Sequence, residues 1–214
     1  MDLLAQLTGG NAFMLNLFLR LPGLLVGLTF HEFAHAFASD RCGDPTPRRM
    51  GRLTLNPIAH LDPIGTICLL FAPIGWAKPV PVNPAFWRKR HADYYVSLAG
   101  VSMNLAIAIV VAFILRGLWA LHVDLPPYVQ GVLLYAVIIN VGLMVFNLLP
   151  IHPLDGSHVM RELLPWRQRE AFDTFSRYGP VVLMVVVAIN YQTGILSWPI
   201  NAIVRLVLPE LFIG

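Results

Sequence analysis

Charge is what this chain has least of. Asp, Glu, Lys and Arg make up 13% of its 214 residues, against about 25% in an ordinary soluble domain. Cysteine is nearly absent too: Cys42 and Cys68 form no CxxC pair, and Cys68 lies inside an apolar stretch. That argues against a disulfide framework and against thiolate metal binding. Residues 1–11 hold no Lys or Arg and carry Asp2, so the basic start of a cleavable leader is not evident and the apolar run that follows is expected to be retained. Internal repeats, low-complexity tracts and Ser/Gly linkers are missing. So is any basic stripe with interleaved aromatics, and the net charge of +3 and pI near 9.1 therefore do not describe a nucleic-acid surface.

What is present in excess is apolar. Hydrophobic residues make up 57% of the chain and the mean hydropathy is +0.65, the composition of an integral membrane protein. A span needs roughly 20 mostly apolar residues, and four runs approach or exceed this: residues 21–39, 94–121, 128–149 and 180–198. Two more are shorter or broken. Residues 64–77 carry Pro73 and Gly75 and read as re-entrant; residues 198–213 are interrupted by Pro199, Arg205 and Pro209 and read as interfacial or as a short irregular span. The expectation is an all-α polytopic membrane protein with about four to six spans.

Basic residues set the orientation. Arg41, Arg48, Arg49 and Arg52 follow the first span, Arg88, Lys89 and Arg90 precede the second, and Arg161, Arg167, Arg169 and Arg177 follow the third. The connection 122–127 has neither Lys nor Arg. By the positive-inside rule the three basic loops are cytoplasmic and the connection lies outside. The loop at 40–62 is polar and punctuated by Pro and Gly, which makes it irregular interfacial structure. One membrane domain, 1–214, accounts for the chain. In this arrangement the C-terminal ends of the first and third spans meet on the cytoplasmic side; had residues 64–77 crossed, Asp155 would lie roughly 30 Å from His31 and His35.

Those histidines belong to Thr29-Phe30-His31-Glu32-Phe33-Ala34-His35-Ala36-Phe37, three ionisable groups inside an apolar run. Residues four apart on a helix share a face, so both imidazoles can reach one ion, with Glu32 beside them. Zinc suits such a pair: a catalytic site keeps a position open for water, whose pKa falls to about 7, and Glu32 can serve as general base. The plainer alternative is two interfacial histidines and a snorkelling glutamate, but ionisable groups are costly to place within spans. A third protein ligand is required, and His152, Asp155 and His158 in NLLPIHPLDGSH are all candidates. Chemistry alone leaves the choice open, since Asp155 could be a turn aspartate and the two histidines interfacial.

HEFAH in an inward span, followed by GWAKPVPVNP and then NLLPIHPLDG, resembles the site-2 protease family of intramembrane zinc metalloproteases, in particular its short bacterial branch without PDZ or CBS domains. The likeness runs over residues 21–158, the expected catalytic core, leaving residues from about 159 to 214 as accessory helices. It implies His31, His35 and Asp155 as ligands of one zinc, Glu32 as the catalytic base, and Asn147 as a group binding substrate backbone or the oxyanion. Residues 75–84 would be the family's loop near the active site. Its alternation of Val and Pro gives an extended edge for a substrate strand or a connector that only shapes the cavity. The stretch Ala99-Gly100-Val101-Ser102-Met103-Asn104 resembles the family's AGPxxN element with Val101 in place of proline. Gly100 and Asn104 read as helix-packing residues, Asn140 as one that packs or bonds a neighbouring helix, and Arg20, Arg116 and Arg205 as snorkelling.

The resemblance implies an endopeptidase of transmembrane protein substrates, working in a bacterial inner membrane with its active site toward the cytoplasm and without nucleic acid. A zinc-containing membrane scaffold or chaperone without turnover is the alternative, although a purely structural site needs no base and is usually closed by a fourth protein ligand. A metal transporter would need ionisable groups along a path across several spans, whereas here they gather at one level.

Overall fold

The structure is a computed structural model and describes residues 12–65, 68 and 75–212. The reading of residues 1–11 and most of the re-entrant reading of 64–77 lie outside the described residues. Among the described residues the regular elements are helical, joined by loops that include most of those between 50 and 91. Helix α1 is Ala12–Cys42 and α2 the single turn Thr46–Arg49; α3 is Ala92–Ala120, α4 Pro127–Asn147, α5 Asp155–Leu163, α6 Trp166–Ser176, α7 Gly179–Thr193 and α8 Ser197–Val207.

Helices α1, α3 and α4 are long and apolar enough to cross a membrane, and α6 with α7, bent by 71°, makes a fourth span if the pair is counted as one. Among the described residues this gives an all-helical membrane architecture, as expected, with three candidate spans, or four when the bent pair is counted, against the expected four to six. The run 180–198 is not one continuous helix. It stops at Thr193, where Gly194 takes the left-handed conformation with φ 64°, a common helix terminator. The 15 residues of α7 rise only about 22 Å, short of a bilayer core of about 30 Å. The 11 residues of α8 rise about 16 Å, too little to cross; Ile200, Ile203, Val204 and Val207 pack against the α3–α4 core while Trp198 and Leu206 face outward.

Between α3 and α4 the chain reads Asp124-Leu125-Pro126-Pro127. Proline cannot continue a helix but suits the first position of a new one, where its φ is already right and its missing N–H is not needed. The three long helices then pack through small residues. A Cβ on Gly23 would stand 2.7 Å from the Ala136 Cα, and one on Gly27 2.8 Å from Asn140 Oδ1, so this face of α1 admits α4 only because both positions are glycine. Val101, Ala108, Ala112 and Leu115 of α3 meet Val137, Val141 and Met144 of α4 in the main core.

On the side where α1 ends, the loops are fastened by polar groups. Asp44, fully buried, accepts hydrogen bonds from Ser39 Oγ at 2.9 Å, Thr46 N at 2.9 Å and Asn83 N at 2.7 Å. Ser39 Oγ in turn accepts from Trp87 Nε1 at 2.9 Å. The buried Arg52 guanidinium donates to the carbonyls of Ala59, Lys78 and Pro79. A bridge pairs Leu61 with Ala77, and Lys78 N donates to His60 O at 2.8 Å. The Pro-rich segment is thereby held extended across the end of α1.

Candidate metal centre

Two residues on one turn of α1 and one at the start of α5 come together. His31 Nε2 lies 3.0 Å from His35 Nε2, and Asp155 Oδ2 lies 3.2 Å from the first and 3.3 Å from the second. These atoms form a nearly equilateral triangle. Four ligands at 2.0–2.1 Å around a tetrahedral ion are separated by about 3.3–3.4 Å, so the triangle has almost the size of one face of such a site. His152 and His158, the other candidates for a third ligand, are not part of this group. The His158 Nδ1 faces the Asp93 carboxylate at 3.3 Å.

The protons decide what the triangle can hold. His35 Nδ1 is 2.7 Å from Val96 O; a carbonyl only accepts, so Nδ1 carries hydrogen and the Nε2 of the neutral ring is bare. His31 Nδ1 is 2.6 Å from Asn104 Oδ1, which has the same effect. Asp155 Oδ2 is buried and has no hydrogen-bond donor. Two imidazole lone pairs and a carboxylate oxygen converging with no donor among them make a site for a cation. This donor set fits zinc.

Helix α5 can place Asp155 here because Gly156 is next. A Cβ there would stand 2.3 Å from Leu148 O and 2.5 Å from Leu149 O, so only glycine lets the start of α5 lie against the end of α4. Glu32 is buried and its Oε2 accepts from Val80 N at 3.0 Å. With the Lys78 and Pro79 carbonyls bonded to Arg52, this part of the extended segment is a fastened wall more than a free edge. Asn147 donates from Nδ2 to Leu143 O at 3.0 Å, and among the described residues it makes no hydrogen bond to the three converging groups.

The sequence reading missed the part α3 plays. Val96, Gly100 and Asn104 are spaced by four and share one face. Val96 and Asn104 hold the two imidazoles, while Gly100 leaves room for them. The visible signal was a pair of asparagines, Asn104 and Asn140, in the middle of apolar helices, where an unpaired amide is costly.

Membrane-length helices that converge on a His, His, carboxylate donor set with a buried glutamate beside it describe a membrane metallopeptidase. Comparison with known proteins agrees. Residues 127–189 match the model of peptidase family M50. The chain is 40% identical over 181 residues to "Putative zinc metalloprotease YwhC" of Bacillus subtilis, with 82% of each chain covered. It is 31% identical over 179 residues to "Putative zinc metalloprotease Rip2" of Mycolicibacterium smegmatis, covering 79% of this chain and 68% of the relative. To the protein of the same name in Mycobacterium tuberculosis strain H37Rv it is 32% identical over 173 residues, covering 78% and 65%. No solved structure matches. The chain belongs to peptidase family M50, as a zinc metalloprotease with several membrane spans. The resemblance to site-2 proteases read from its motifs is borne out.

Proposed function

We propose that this metalloprotease hydrolyses peptide bonds in or beside the transmembrane segments of other membrane proteins. The site lies toward the cytoplasm of a multi-pass protein of the bacterial inner membrane, within one domain whose catalytic core is about residues 21–158. The observation that carries this reading is the triangle of bare donor atoms from His31, His35 and Asp155. These three residues would hold one zinc per chain. Bound there, zinc supplies a Lewis acid that brings water close to ionisation at neutral pH and polarises the scissile carbonyl.

Glu32 takes the proton from the attacking water and passes it to the departing amine. Its backbone contact with Val80 fixes the carboxylate in direction and leaves Oε1 for this task. Asn147 Nδ2 uses one hydrogen on Leu143 O; its second is available to the developing oxyanion or to substrate backbone. The wall formed by Lys78, Pro79 and Val80 confines an unwound substrate beside Glu32. Orientation toward the cytoplasm rests on the basic loops that follow α1, precede α3 and follow α4.

Elemental analysis of the detergent-purified protein tests the reading without a known substrate. About one zinc per chain is expected in the wild type, with clear loss in His35→Ala and in Asp155→Ala. No zinc in folded wild type, or full zinc in Asp155→Ala, would overturn it.

A further inference from the structure

We propose that Asn104 and Asn140 are positioning residues: a two-amide relay that fixes the tautomer of His31 and so presents its Nε2 to the metal. The inference rests on the zinc reading above and assigns it an orienting device.

Direction runs from the helix backbones to the imidazole. Asn140 Nδ2 lies 2.8 Å from Ala136 O and 3.4 Å from Gly23 O. Both are acceptors, so the amide cannot be turned the other way without setting oxygen against oxygen. Its Oδ1 therefore points outward and meets Asn104 Nδ2 at 3.0 Å. Asn104 Nδ2 spends its other hydrogen on Gly27 O at 3.1 Å. With both of its N–H groups committed, Asn104 has only Oδ1 to offer His31, and His31 must donate from Nδ1 at 2.6 Å. A neutral ring with hydrogen on Nδ1 has its lone pair on Nε2, at the corner of the triangle.

Burial makes the relay rigid. Both asparagines are fully buried, and in a setting without water an amide that loses its partner has nothing to replace it. Besides Ala136 O, the anchoring carbonyls belong to Gly23 and Gly27, the same residues whose missing side chains admit α4; a Cβ on Gly27 would strike Asn140 Oδ1 at 2.8 Å. One close helix contact thus supplies both the approach and the acceptors. His35 needs no such relay, because Val96 O orients it directly.

Zinc affinity, measured by competition with a chromophoric chelator on metal-free protein reconstituted in detergent, tests the relay, with thermal unfolding as the folding control. Asn104→Leu keeps the volume and removes the acceptor; a ten- to hundredfold loss of affinity is expected, the usual effect of removing a histidine's outer partner. Asn104→Asp retains an oxygen for His31 Nδ1 but sets its second oxygen against Gly27 O and Asn140 Oδ1, so it keeps the tautomer and recovers only part of that loss. Asn140→Ala frees the Asn104 amide to rotate and weakens zinc by a smaller factor, which serves if Asn104→Leu does not fold. Nitrogen-15 NMR of neutral His31 in metal-free protein reads the tautomer directly: hydrogen on Nδ1 in the wild type, a shift toward Nε2 in Asn104→Leu or Asn140→Ala. Wild-type affinity and an unchanged tautomer in both variants, with zinc lost in His35→Ala, would overturn the relay and leave the site standing. Zinc unaffected by His35→Ala would overturn the metal reading itself, and the relay with it.

Discussion

A single carbon added at Gly100 would stand 2.4 Å from the Nε2 of His35, and 2.7 Å from the Cε1 of His31. Glycine at this point of α3 is a condition for the two imidazoles to meet. Gly100→Ala is expected to displace one ring or to push α3 away from α1. Overpacking of this kind costs roughly 1–3 kcal/mol, so zinc affinity falls by about tenfold to a hundredfold. Chelator competition on the folded variant measures it, and wild-type affinity would show that the helices yield without cost.

Replacing the base separates chemistry from metal binding. Glu32→Gln keeps an oxygen for Val80 N but cannot accept the proton of the attacking water. Zinc content should stay at the wild-type level while cleavage of a transmembrane model substrate falls by at least ~10²-fold, the scale of general base catalysis. Zinc lost together with cleavage would assign Glu32 to the structure of the site.

Asp44 ties the Pro-rich segment to the end of α1. Burial raises its pKa, but the hydrogen bonds from Asn83, Thr46 and Ser39 outweigh this and hold the carboxyl below the usual range. A carboxyl with a lowered folded pKa stabilises fully above the unfolded value of about 4, and that contribution is lost as pH falls through the lowered folded value. The protection factor for hydrogen exchange at Asn83 N, which divides out the intrinsic pH dependence of exchange, should therefore be high near neutrality and fall only in acid. In Asp44→Ala it should be low at every pH, with a loss of about 2–4 kcal/mol of local stability.

His158 joins α5 to the start of α3. The neighbouring Asp93 carboxylate raises its pKa above the ordinary value, against the burial that lowers it. A raised folded pKa makes this contact fully stabilising below about 6.5 and lets it fade as pH rises through the folded value. NMR titration should place His158 above a free histidine, and Asp93→Asn should bring it down. An unchanged titration in Asp93→Asn would remove the charge pair as the cause.

Much of the site was legible because its spacing is local. The spacing of four from His31 to His35 dictates a shared helix face, and the parity of the apolar runs brings Asp155 to the same side. Asn104 and Asn140 were legible only as residues that pack or bond a neighbouring helix, since an amide's role depends on which helix faces it, and three helices had to be placed before either had a partner. Val96 left no trace at all: it acts through a backbone carbonyl, whose availability no side chain announces. Residues 180–198 read as one span because their composition is uniformly apolar, and only the left-handed turn at Gly194 shows where the helix gives way. The fastening of Lys78, Pro79 and Val80 was equally hidden, because it depends on where the Arg52 guanidinium goes.

The donor triangle contains two nitrogens, one oxygen and no sulfur. Imidazole and carboxylate bind most divalent first-row metals, in an order set by the ion more than by the protein. Nothing in these three side chains rejects manganese, cobalt or copper in favour of zinc. The supply in the surrounding cell thus bears on occupancy: protein grown with zinc in the medium is expected to carry it, and another first-row ion takes its place only where zinc is withheld.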